Sequence, residues 1–172
     1  FQMLIVRPDT SIIIILIIVL LLLLLSAMVS SAESAFFSLS PQDTDGLKRE
    51  NSAKGNLILE LLNKPKELLA TILIANNFLN VGIVILSSFL INYFFPIADN
   101  YFRFFLEVVG ITLLILLWGE VIPKIFAVKN ATKVSRIMAY PLHLLYISRP
   151  IHWIANGLVK SSKIFDRNKK AT

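Results

Sequence analysis

The chain has 172 residues, 56% of them hydrophobic, with a mean hydropathy of +0.72 and a formal net charge of +6. A soluble domain of this length does not need so apolar a composition, so the chain reads as one integral membrane domain. The absence of cysteine excludes disulfides and thiolate metal sites, and two histidines, His143 and His152, argue against zinc.

In chain order, three apolar stretches are long enough to cross about 30 Å of hydrocarbon, which takes about 20 helical residues. They cover about Ser11–Leu39, Leu68–Phe95 and Phe104–Val128. The first contains Ile12–Leu25, fourteen residues without a polar side chain, and passes unbroken into a serine row. That continuity argues against a signal peptide, whose apolar core is about 7–15 residues. Ser40-Pro41 is expected to end the first helix, because Pro41 cannot extend its hydrogen-bond ladder. The polar segment Gln42–Lys66 reads as one or two surface helices with a turn near Gly55. Tyr93-Phe94-Phe95-Pro96 closes the second span with interfacial aromatics. The tail, residues 131–172, reads as amphipathic juxtamembrane helices broken by Pro141 and Pro150, and Asp166–Lys170 as the start of a linker. The expected fold is therefore an all-α membrane protein, with a three-span core over residues 1–130.

Charge sets the expected orientation. The segment between spans one and two carries five basic residues: Lys48, Arg49, Lys54, Lys64 and Lys66. The segment between spans two and three carries only Arg103, and ten follow from Lys124 onward. The positive-inside rule places the N-terminus outside and the C-terminus in the cytoplasm. The same distribution, flanking apolar spans, assigns the basic excess to topology and not to nucleic acid.

Four polar groups stand out within the spans. Ser26, Ser30, Ser34 and Ser38 recur every four residues and share one slowly drifting helix face, with Ser31 and Glu33 beside them. Asn76 and Asn80 are four apart on span two, with Asn77 adjacent. Gly119-Glu120 on span three is followed by Pro123, which removes a backbone donor and loosens a carbonyl. Thr112 is explained by a bond to its own backbone. Together these are hydroxyls, amide oxygens, a carboxylate and a carbonyl, an all-oxygen set suited to a hard cation: Mg²⁺, Ca²⁺ or Na⁺.

Each element has an ordinary alternative. A serine packs helices closely or bonds its own backbone, the Asn pair can be interhelical glue, and Glu120 can pair with Lys124 four residues on. Glu33 can likewise be buried and paired. Their combination on three separate spans favours an ion site. An intramembrane serine hydrolase lacks a base at depth, since neither histidine falls in a span and Lys124 lies near the boundary.

At these residues the chain resembles the CNNM/CorC family. Leu25–Ser40 is similar to its first transmembrane helix, Leu68–Val81 to its second-helix motif, and Gly119-Glu120-Val-Ile-Pro123-Lys124 to its third-helix signature. The Ala-Glu-Ser and Ser-Pro-Gln sequences look closest to bacterial members. The resemblance implies three transmembrane helices with cytosolic juxtamembrane helices, a homodimer in the cytoplasmic membrane, and Mg²⁺ transport, proposed to be Na⁺-driven export. It implies a cytosolic CBS-pair module after this domain, so the chain is expected to be the transmembrane part of a longer protein. By position, the implied metal ligands are Ser26, Ser30, Asn76, Glu120 and the Gly119 backbone, with Asn80, Ser31 and Glu33 as secondary candidates. Many members have Gly where this chain has Ser31, which either narrows a backbone approach or adds a hydroxyl. The competing reading is a cation-sensing or scaffolding domain without flux.

Overall fold

The computed structural model describes residues 10–96 and 98–148. Among these, the regular elements are all helices: α1 (Thr10–Phe37), α2 (Pro41–Glu50), α3 (Ala53–Leu62), α4 (Pro65–Phe94), α5 (Asn100–Lys129) and α6 (Ala131–Ile147). The chain is a multi-pass membrane protein with three helices, α1, α4 and α5, long and apolar enough to span. Much of their surface is apolar and exposed, as in Leu20, Leu24, Leu73, Phe78 and Trp118, the pattern of side chains that face lipid.

The short helices form a platform at one end of the bundle. Helix α1 stops at Phe37, before Pro41, so the proline does not terminate it. Pro41 instead occupies the first turn of α2, where a missing N–H is harmless. Ser40 caps that helix in a reciprocal capping box. The Asp43 backbone N–H donates to the Ser40 hydroxyl at 3.1 Å, and the Ser40 N–H donates to the Asp43 carboxylate at 2.9 Å. The chain turns at Asn51, in the left-handed region with φ 47°, and Ser52 caps α3. The turn expected near Gly55 therefore lies four residues earlier, because Asn tolerates the left-handed conformation. Gly55 belongs to the first turn of α3, where a Cβ would lie 3.1 Å from the Leu47 carbonyl, so its role is close approach between α2 and α3.

Helix α6 runs through Pro141, where the sequence pattern suggests a break. Val134, Met138, Leu142 and Tyr146 recur every four residues and are all buried. This continuous apolar stripe carries the helix across the missing hydrogen bond. The stripe packs on α1, α3 and α4 with Phe36, Ile58, Leu61 and Leu68, in a core that Leu47 of α2 joins. The Thr132 hydroxyl donates to Asp43 at 3.0 Å, and Arg136 forms a two-pronged pair with Glu50, tying α6 to α2. The expectations for Pro150, His152 and Asp166–Lys170 lie outside the described residues.

Two segments of α5, Leu106–Gly110 and Ile115–Val121, wind as π-helix. The Ile111 N–H reaches back five residues to the Leu106 carbonyl, and the Ile122 N–H to the Leu117 carbonyl. Wider turns of this kind redirect the side chains and carbonyls around them. Each segment contains one carboxylate, Glu107 or Glu120.

Candidate functional site

The serine row begins where α1 crosses α4 and α5. Ser26 and Ser30 are fully buried, Ser34 is half-buried and Ser38 exposed, so the drift of a four-residue spacing around a 3.6-residue helix leaves two hydroxyls facing inward. Facing them on α4 are Asn76 and Asn80, one turn apart and half-buried, while Asn77 points to the exposed side. From α5 come Gly119, buried, and Glu120, half-buried, both in the second π segment.

A continuous hydrogen-bond network joins the three spans. The Ser26 hydroxyl lies 2.9 Å from the Asn76 amide oxygen and 2.8 Å from the Asn80 amide oxygen, and its single proton serves one at a time. The Ser30 hydroxyl donates to the Asn76 amide oxygen at 3.3 Å. On their other side, the Asn76 and Asn80 amide nitrogens donate to Glu120 Oε1 at 3.2 Å and 3.0 Å. Both asparagines therefore turn their oxygens toward α1 and their nitrogens toward α5. The result is a cluster of hydroxyl and amide oxygens beside a carboxylate whose Oε1 is fixed by two charge-assisted bonds.

Gly119 permits this geometry. A Cβ there would sit 3.3 Å from the Ser26 hydroxyl oxygen and 3.6 Å from Leu23. The glycine thus lets the α5 backbone approach α1 at the level of the oxygen cluster. A cavity of about 210 Å³ adjoins the cluster, lined by Asn80, Thr112, Ile115, Leu116 and Glu120. The Thr112 hydroxyl bonds the Val108 carbonyl on its own helix, the local role its sequence context implies.

The secondary candidates divide. Asn80 is a full member of the network. Ser31 lies to one side, donating to the Pro123 carbonyl at 3.4 Å, a bond that ties α1 to the turn after Glu120. Glu33 stands apart from the oxygen cluster and pairs with Lys124 at 2.8 Å. Lys124 is thereby committed to α1, and the alternative pairing of Glu120 with Lys124 does not form. Among the described residues, no Lys, Arg or His lies within ion-pair distance of Glu120. The row's remaining serines, Ser34 and Ser38, line a second cavity of about 330 Å³ with Glu33, Phe37 and Leu69, toward the platform.

The structure also joins residues the sequence pattern left unremarked. The Ser88 hydroxyl on α4 donates to Glu107 Oε1 at 2.9 Å, and the Asn92 amide nitrogen reaches the same oxygen at 3.4 Å. The four-residue spacing of Ser88 and Asn92 is the signal that would have found them.

Mg²⁺ takes six oxygens at about 2.0–2.1 Å, so the edges of its octahedron are about 2.9 Å long. The distances of 2.8, 2.9 and 3.3 Å among the serine and asparagine oxygens bracket that length. Those separations are the O–H···O hydrogen bonds of the network, and the donor set is of the all-oxygen kind that a small hard cation takes. No group of three or more Asp, Glu, His or Cys side chains occurs among the described residues, so any such cation would be held mainly by neutral oxygens.

The family model described as the Cyclin M transmembrane N-terminal domain matches residues 16–172. A Synechocystis protein named UPF0053 protein sll1254 is 27% identical over 127 residues, covering 73% of this chain and 35% of the relative. The chain thus spans about a third of that relative's length. With three spans and a matching family model over most of its length, the chain belongs to the CNNM family, as its Cyclin M transmembrane N-terminal domain.

Proposed function

We propose that this domain moves a divalent cation, Mg²⁺, across the cytoplasmic membrane by way of the oxygen cluster at Ser26, Ser30, Asn76, Asn80 and Glu120. The observation that carries the reading is the hydrogen-bond network that joins all three spans through these side chains. Polar and charged side chains at this depth are costly unless they serve a partner or an ion, and Glu120 has no ion-pair partner among the described residues. On binding, the two serine protons turn away and their oxygens join the amide oxygens around the cation. The Gly119 backbone lies beside them, and Glu120 supplies the negative charge.

The basic platform faces the cytoplasm in this reading, with the α4–α5 loop outside. The cavity beside Glu33, Ser34 and Ser38 then offers a hydroxyl-lined approach from the cytoplasmic side. The direction is export, with Na⁺ as the coupling ion that displaces Mg²⁺ from the cluster. The domain works as a homodimer, and a CBS-pair module in the longer protein regulates it.

Calorimetric titration of the purified domain with Mg²⁺, in low and high Na⁺, tests the site. Saturable binding that weakens with Na⁺ and is lost in Glu120→Gln is the expected result. Wild-type affinity in Glu120→Gln sinks the ligand assignment. Binding without flux in proteoliposomes turns the domain into a cation sensor or scaffold.

A further inference from the structure

The bundle contains a second polar station, and it repeats the chemistry of the first. At the loop end of the α4–α5 seam, the Ser88 hydroxyl bonds Glu107, and the Asn92 amide nitrogen, which donates to the Ser88 carbonyl at 2.9 Å, reaches the same carboxylate at 3.4 Å, much as Asn76 and Asn80 meet Glu120. In both places α4 supplies polar side chains one turn apart, α5 supplies one carboxylate, and that carboxylate sits in a π-helical segment. Glu107 is the eighth residue of α5, about 10 Å along the helix from its start, and is half-buried against α4. The nearby Arg103 guanidinium is turned to the Pro96 carbonyl. Among the described residues no basic side chain lies within ion-pair distance of Glu107.

A merely structural pairing does not need a carboxylate here. Ser88 could bond an amide or a backbone carbonyl at lower desolvation cost. An unpaired carboxylate inside a span marks a place where positive charge arrives. The two stations are thirteen residues apart on α5, roughly 20 Å at the α-helical rise. Between them Ile83, Ile111 and Ile115 are buried in an apolar cluster with Val19. The cavity at Glu120 reaches outward along the same seam to Thr112, five residues short of Glu107.

We infer that Glu107, with Ser88 and with Asn92 at the rim, is a second cation site at the loop end of the α4–α5 seam, separated from the Glu120 cluster by an apolar seal. Its chemistry is that of a hard cation keeping much of its water. It offers one carboxylate and one hydroxyl beside the exposed Asn92, and Mg²⁺ bound by a single carboxylate normally retains several waters. Na⁺ shares that oxygen preference. The inference rests on the transport reading only for the direction of traffic; the binding site itself stands or falls separately.

The chain has no cysteine, so Asn92→Cys introduces a single reporter at the rim while leaving Glu107 and Ser88 in place. The rate of its modification by a neutral thiol reagent is measured in proteoliposomes, with Mg²⁺ or Na⁺ compared with N-methylglucamine at matched ionic strength. Several-fold protection by Mg²⁺, Na⁺ or both, abolished by Glu107→Gln and retained in Glu120→Gln, is expected. Protection by one ion alone assigns the station to cargo or to coupling ion. Labelling rates indifferent to both ions overturn the site. So does protection that survives Glu107→Gln and disappears in Glu120→Gln, because it then reports the deeper cluster. Ser88→Ala, with the carboxylate intact, weakens protection without removing it. If the deeper cluster binds nothing, the Glu107-dependent protection still appears, so the two readings fail separately.

Discussion

The two ends of the bundle are built differently. At the platform end, Phe36, Leu47, Ile58, Leu68 and Leu142 are almost completely buried, α2 and α3 are capped by Ser40 and Ser52, and α6 is tied to α2 by Asp43–Thr132 and Glu50–Arg136. At the loop end the core is small, formed around Val19, Ile83, Leu90, Ile111 and Ile115, and the spans show most of their surface to lipid. The oxygen cluster sits at the junction. A densely buried floor lies on one side and sparsely packed spans with π turns on the other, and the α4–α5 seam runs between them. The contrast separates the packing that holds the fold from the polar cluster it carries.

The largest expected effect tests the floor. Phe36→Ala should cost about 3–5 kcal/mol, because the removed ring is replaced by a cavity inside a fully packed region. Ile111→Ala at the loop end should cost well below that range. The removed side chain is smaller and the loop-end cluster holds fewer buried partners, so less packing is lost. Thermal unfolding of both variants in detergent checks the order, and equal losses would erase the distinction between the two ends.

The next effect concerns the junction. Glu120→Gln should weaken Mg²⁺ binding at least tenfold, about 1.4 kcal/mol, while leaving the melting temperature close to wild type. The amide keeps the shape and still accepts from Asn76 or Asn80, but the charge is gone. Loss of folding instead of binding would assign Glu120 to the floor. Gly119→Ala should act through position. Its methyl would meet the Ser26 oxygen at 3.3 Å, forcing the hydroxyl away from the two amide oxygens. Binding should fall by a few-fold, and Ser26→Ala in the same background should add little, since both changes spoil one contact.

Much of this arrangement was legible in the residues. The apolar runs set the three spans, and the four-residue spacings of Ser26/Ser30 and Asn76/Asn80 placed the oxygens on inward faces. What the pattern could not carry was anything decided by backbone winding or by partners distant in sequence. The π segments leave no compositional mark, because a bond to the fifth residue uses the same side chains as a bond to the fourth. Glu107 carries no spacing signal of its own, and only its meeting with Ser88, nineteen residues away, reveals a pair. Pro141 read as a break because the local rule is strong, yet the stripe of Val134, Met138, Leu142 and Tyr146 overrides it. Lys124 lies four residues from Glu120, as a helical ion pair requires, but the geometry across the bundle gives it to Glu33.

The smallest effect lies in the platform's charged ties and follows pH. The Ser40 hydroxyl and backbone N–H, then the Thr132 hydroxyl, bond the Asp43 carboxylate and hold its pKa below the ordinary 3.8. The unfolded chain therefore takes up this proton at a higher pH than the folded one. The stabilisation from Asp43 is complete above the unfolded value and is lost as pH falls through the folded value. Glu50, held low by Arg136, behaves in the same sense. Melting temperatures of wild type and Asp43→Asn should differ by a few degrees at about pH 6, begin to approach at the unfolded carboxylate value, and converge only below the lowered folded value of Asp43. Convergence should appear in platform stability alone. If Asp43→Asn also shifts Mg²⁺ affinity at about pH 6, where the carboxylate is fully ionised, the floor is coupled to the oxygen cluster and the two regions are not independent.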